Sequence, residues 1–173
     1  MQHINLLSQI ALSMLSKIAL GTVQFGLDYG ITNNIGKVSQ DEVRAILKYA
    51  KENGIDTLDT ASGYGNSEEI LGIAGVDNFQ VVTKTTSLSG GINQVMGYFQ
   101  QSLIHLNKKN VNGLLVHNIN EIEGKEFNAL FNEVNNLKQQ GLVDKIGFST
   151  YTPEQVDFLL DNFDFDLIQV PFN

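Results

Sequence analysis

The sequence predicts an α/β fold of parallel strands joined by helices. Three observations carry this expectation. Short apolar runs alternate with helix-period segments six times over 173 residues, without a break in composition. Glycine or a capping side chain marks most of the junctions. Connections of helical length between successive strands also favour right-handed parallel crossovers over hairpins.

Lys17 to Thr22 (KIALGT) reads as the first strand, followed by a long Gly-rich loop through Gly26, Gly30 and Gly36. Ser39 opens a helix with Glu42 at its third position, and Val43, Ile46, Leu47 and Ala50 recur at helical spacing until Gly54. Ile55 to Asp59 is the second strand. Asn66, with Glu69 three positions on, forms a capping box for a short helix from Ser67 to Gly72. Phe79 to Thr83 is the third strand and ends on Lys84. A helix follows with Ile92, Val95, Met96, Phe99, Leu103 and Leu106 on one stripe.

Val111 to Val116 is the fourth strand, ending on His117; the next helix shows Phe127, Leu130, Phe131, Val134 and Leu137 before Gly141. Lys145 to Phe148 is the fifth, ending on Ser149. Thr152, Pro153 and Gln155 supply cap, first-turn proline and third-position glutamine to a helix whose Val156, Leu159 and Leu160 face inward. Phe165 to Val170 is the sixth strand. Two architectures fit this alternation, an open doubly wound sheet and a (β/α)8 barrel. The first lacks a GxGxxG after strand one, and the second ordinarily needs eight strands.

Composition narrows the chemistry. There is no Cys, which excludes disulfides and thiol nucleophiles. A formal charge of −8, with Arg44 the only arginine, argues against a nucleic-acid surface. Lys108 and Lys109 make too short a basic run to reverse that and read as a solvated helix end. Ile4 to Leu15 is broken by Asn5, Ser8, Gln9 and Ser13, short of the ~20 apolar residues that span a bilayer. No secretory leader is evident. The expected location is the cytoplasm, with residues 1–16 an extension outside the fold and Met14 a candidate start.

The chemistry gathers in IDTLDTASGYGNSEE, Ile55 to Glu69. In a parallel barrel, ligands bind at the carboxyl ends of the strands. Asp59, Lys84 and His117 end three consecutive strands there, and Tyr64 sits in the loop after the first of them. With strands about 4.8 Å apart, these side chains can reach one point. A lysine ammonium about 4 Å from a tyrosine is worth roughly 4 kcal/mol at an effective dielectric of 20. That is as much as about three pKa units, so Lys84 is expected to lower the pKa of Tyr64. Asp59 would hold Lys84 charged. Tyr64 would then protonate a carbonyl oxygen that His117 hydrogen-bonds, a step that is useful if a hydride arrives at the carbon. His105 reads as surface and Met96 and Phe99 as core. Phe25 and Tyr29 stay open between lining a pocket and packing.

These residues resemble the aldo-keto reductases. The likeness runs from about Ile18 to the end and rests on IALGTVQFG, LDTASGYGNSEEILG, VVTK, LLVHN, KIGFST and IQVPFN in that order. The resemblance implies a (β/α)8 barrel, here incomplete with about six βα units over residues 17–173. It makes Asp59, Tyr64, Lys84 and His117 the catalytic tetrad. It implies NADPH, or NADH in some members, no metal, and reduction of a small aldehyde or ketone. Thr22, Asp59, Ser149 and Gln169 match nicotinamide contacts, and Thr150 stands where the family often has Asn. The family's seventh and eighth strands carry its phosphate contacts. A chain of six strands is therefore expected to be a truncated or split reductase, binding cofactor weakly and prone to self-associate through its edge strands. Two other readings remain open on the sequence: a Schiff-base aldolase using Lys84, and a non-catalytic oligomerisation or binding module.

Overall fold

The structure, a computed structural model, describes residues 17–119 and 125–172. The expectations for His3, Met14 and the extension 1–16 lie outside the described residues. Strand and helix alternate as expected. The order is β1 (Ala19–Gly21), α1 (Val23–Gly26), α2 (Gln40–Glu52), β2 (Thr57–Asp59), α3 (Ser67–Ala74), β3 (Gln80–Lys84), a 3-10 turn (Leu88–Gly90), α4 (Ile92–His105), β4 (Val111–Val116), α5 (Lys125–Gln139), β5 (Val143–Ser149), α6 (Pro153–Asn162) and β6 (Leu167–Gln169).

All six strands form one sheet in the order β1-β2-β3-β4-β5-β6, every pair parallel. This order decides between the two architectures. A doubly wound sheet reverses its strand order at a switch point, whereas a barrel wall never reverses. The chain therefore forms an incomplete (β/α)8 barrel. The sheet curls enough that a Leu167 methyl of β6 would come within 2.9 Å of a Cβ at Gly113 on β4, two strands away. Among the described residues β1 pairs only with β2, and β6 only with β5.

The core lies between the helices and the outer face of the sheet. Strand residues Leu58, Val81, Leu114, Val116, Ile146 and Phe148 meet Val43 and Leu47 of α2, Ile70 and Leu71 of α3, Val95 and Phe99 of α4, and Leu130 and Val134 of α5. Each such side chain contributes about 1.5–3 kcal/mol on burial. Phe127, Phe131, Phe148 and Phe163 form an aromatic cluster at the β5 end, with ring centroids 4.6–5.8 Å apart. Ser39 caps α2 by accepting from the Glu42 amide, and Thr152 and Gln155 close a full capping box ahead of Pro153.

Five expectations need correction. The Gly-rich loop after β1 contains a helical turn, α1. Strand five begins two residues earlier, because Val143 pairs with Val111, and strand six shrinks to Leu167–Gln169. Asn66 makes no capping bond; its backbone is not extended, and its Oδ1 accepts from the Lys37 ammonium instead. Leu160 is 63% exposed while Leu159 is fully buried. Successive helix residues diverge by about 100°, and Leu159 is the one buried residue of α6. No helix among the described residues is long and apolar enough to cross a membrane.

The closest backbone approach in the sheet is at Gly147, where a Cβ would stand 1.8 Å from the Leu167 carbonyl oxygen. Gly147→Ala is expected to lower stability by about 1–3 kcal/mol through forced separation of β5 and β6. Urea unfolding measures this, and an unchanged midpoint would contradict so close a pairing.

Candidate active site

The register brings the ends of β1, β2 and β3 side by side, with Gly21 opposite Asp59 and Asp59 opposite Val82. Side chains alternate along a strand, so Asp59 and Lys84, two places beyond Val82, project from the same end of the sheet. Lys84 Nζ donates to Asp59 Oδ1 at 2.6 Å and to the Thr60 carbonyl at 3.0 Å. Its side chain is 2% exposed and that of Asp59 21%. The same ammonium stands 5.2 Å from the centroid of the Tyr64 ring. The His117 ring meets Tyr64 edge to face at 6.2 Å, and the His117 amide donates to Thr85 Oγ1.

The loop carrying Tyr64 is tightly packed. A Cβ at Gly26 would lie 1.8 Å from the Tyr64 carbonyl oxygen and 2.5 Å from the Ser67 nitrogen. Only glycine lets α1 close on this loop. The Ser67 hydroxyl, fully buried, lies 2.9 Å from the Thr22 carbonyl and 3.0 Å from Thr22 Oγ1, and Thr22 Oγ1 donates to the Asp59 carbonyl.

Seven of the eight residues singled out in the sequence share one cavity of about 280 Å³: Asp59, Tyr64, Lys84, His117, Ser149, Thr150 and Gln169. Thr22 does not line it; it is fully buried within the hydrogen bonds just described. Phe25 packs in the core and Tyr29 is exposed, and neither reaches the cavity. Tyr151, Val170 and Pro171 do line it and escaped the sequence reading. Their signal was positional, since they directly follow the Ser149–Thr150 and Gln169 strand ends. A larger hollow of about 910 Å³ beside Ser87, Asn93 and Glu126 contains none of these groups.

One electrostatic expectation is overturned. Tyr64 is not made more acidic: burial pushes its pKa from 10 up to about 12, with the charge of Asp59 the next cause and Tyr151 and Tyr29 behind it. Burial explains most of this: the phenol loses solvation, and the Asp59 carboxylate adds its repulsion to the tyrosinate. Lys84, bound by Asp59 at 2.6 Å, does not offset the two. Tyr64 is a neutral hydrogen-bond donor at neutral pH.

Thr150 is 1% exposed, and its Oγ1 has no hydrogen-bond partner. A buried hydroxyl left unpaired costs about 1–3 kcal/mol, and a polar ligand group in the cavity would relieve it. A carboxamide, which both donates and accepts, fits this hydroxyl together with Ser149 and Gln169. Among the described residues no cluster of His, Asp or Glu is arranged to hold a metal ion.

Residues 17–173 match the model of the Aldo/keto reductase family. No curated protein matches the chain. Among solved structures, an aldo-keto reductase from Pseudomonas aeruginosa superposes with a TM-score of 0.71 at 26% identity, over 90% of this chain and 62% of that one. The Bombyx mori aldo-keto reductase in complex with NADP gives 0.68 at 25% identity, over 90% and 54%. An aldo/keto reductase from Brucella melitensis gives 0.68 at 23%, over 89% and 57%, a likeness of fold. The chain thus spans less than two thirds of the length of these structures.

Because Tyr64 holds its proton more tightly folded than unfolded, its contribution to stability is complete below about pH 10, its unfolded value. That contribution is lost as pH rises through about 12. Tyrosinate absorbance of the chain minus that of Tyr64→Phe isolates this group. A midpoint near 12 is expected, and one at or below about 10 contradicts the reading.

Proposed function

The chain belongs to the aldo/keto reductase family, and we propose that its cavity reduces a small aldehyde or ketone to the alcohol, with Tyr64 as the proton donor. The observation that carries the reading is the convergence of the Lys84–Asp59 pair, the Tyr64 ring and the His117 ring in one cavity. A bound nicotinamide nucleotide, NADPH or NADH, supplies the hydride. The fit of Ser149, Thr150 and Gln169 to a carboxamide supports their holding its nicotinamide end. Thr22 supports the site from behind, through the Asp59 carbonyl.

In this reading the substrate carbonyl oxygen lies between Tyr64 and His117. As the carbon is reduced, negative charge grows on that oxygen, and the Tyr64 hydroxyl donates into it. A phenol at about 12 remains competent for this step. The alkoxide formed is about as basic as hydroxide, whose parent water has a pKa of about 15.7, so the proton moves downhill. The Lys84 ammonium, close to the ring face, stabilises the tyrosinate left behind, and Asp59 keeps that ammonium in place.

The Schiff-base alternative needs a lone pair of Lys84 directed into the cavity. Its nitrogen instead donates to Asp59 and to the Thr60 carbonyl, and the side chain is buried. The reductase reading is therefore favoured on geometry.

With NADPH and a small aldehyde, reduction is expected to be measurable by loss of nicotinamide absorbance. Tyr64→Phe should lower kcat by about a hundredfold or more, and Lys84→Met should do the same by removing the cation beneath the ring. Equal rates in Tyr64→Phe and the unaltered chain would sink the assignment of Tyr64.

A further inference from the structure

The loop that carries Tyr64 is fastened to strand β3 on both sides of the tyrosine. Before it, the Ser62 hydroxyl donates to the Lys84 carbonyl at 2.9 Å. After it, Glu68 Oε1 accepts from the Thr83 hydroxyl at 2.6 Å. Thr83 and Lys84 are adjacent on β3, so their side chains leave opposite faces of the strand. Lys84 enters the cavity and Thr83 points back among the helices. One carboxylate behind the sheet and one hydroxyl in front of it thereby grip two consecutive residues, and the span between them holds Tyr64.

Glu68 is an unexpected residue for its location. It is 4% exposed, in the first turn of α3, and Ser102 of α4 bonds it as well. Burying a carboxyl group costs several kcal/mol before its partners are counted. A leucine of similar volume would avoid that cost. What leucine could not supply is a directed bond to Thr83. Burial pushes the Glu68 pKa up, with the Thr83 and Ser102 hydroxyls and His105 opposing. Ionised or protonated, the carboxyl still accepts from Thr83, so the tie survives a change of charge.

We propose that Glu68 and Ser62 are positioning residues, which staple the Tyr64 loop to the Thr83–Lys84 end of β3 and so set the distance of the Tyr64 phenol from the Lys84 ammonium. Neither touches the cavity; both act through β3. The inference rests on Tyr64 as proton donor only for its kinetic consequence. Its structural consequence is independent of any activity.

The test is the Tyr64 ionisation midpoint in the full chain, read for each variant as the tyrosinate absorbance lost on adding Tyr64→Phe. Glu68→Gln keeps an acceptor for Thr83 and is expected to leave the midpoint near the starting value of about 12. Glu68→Leu and Thr83→Val remove the tie, free the loop to admit water, and should move the midpoint toward the ordinary value of about 10. In the reductase assay the same two variants should lose about tenfold or more in kcat with KM unchanged, as expected when a reacting group is displaced. Folded Glu68→Leu with its midpoint still at about 12 would overturn the proposal. If both tie-breaking variants fail to fold, Ser62→Ala, at a half-exposed position, decides by the same criterion. Absence of any reduction with intact midpoint shifts would count against the reductase reading and leave the staple standing.

Discussion

The Lys84 ammonium lies between the Asp59 carboxylate and the face of the Tyr64 ring, and the rest of the site is arranged around that contact. A cation with so little exposure needs a counter-charge, because an unpaired buried charge is severely penalised. Asp59 supplies it from the neighbouring strand. The pair is not a strong source of stability, since desolvation offsets most of its attraction. Its effect is organisational: it pins a charge under a phenol that would otherwise sense only burial. The cost is that Asp59 also faces the phenol, and the net result is a weaker acid at rest.

The strand order makes this contact available. Because β2, β3 and β4 are sequential neighbours that run the same way, their final residues lie along one rim. Parallel crossovers place the helices behind the sheet, where Leu58, Val81 and Leu114 bury against them, leaving the rim for polar groups. The loop bearing Tyr64 is held to that rim by backbone and side-chain bonds to Val82 and Lys84, and by the close approach at Gly26. Fold and site therefore share their fastenings.

Much of this was legible in the sequence. The six alternations, the stripes of α2, α4 and α5, and the polar ends of β2, β3 and β4 follow from periodicity and junction residues. So did the convergence of Asp59, Tyr64, Lys84 and His117. What stayed hidden depended on distances between elements. Asn66 looks like a cap until Lys37 is found beside it. Leu160 looks like core because a helical stripe has no sharp edge in sequence. The direction of the Tyr64 shift could not be read either: the pairing of Asp59 with Lys84 was expected, but the burial of the phenol, which outweighs it, depends on packing between elements. Glu68 has the pattern of an ordinary first-turn acid, and only the fold puts Thr83 and Ser102 against it.

The measurement that bears most directly on the account is the ionisation of Tyr64 in Asp59→Asn, read against the same variant carrying Tyr64→Phe. If the Lys84–Asp59 pair governs the phenol, removing the carboxylate takes away a repelling charge and exposes the ammonium to the ring, and the midpoint falls from about 12 to about 10 or below. A midpoint that stays at about 12 in folded Asp59→Asn would mean that burial alone sets the acidity of Tyr64, and that the ion pair is not the organising contact of the site.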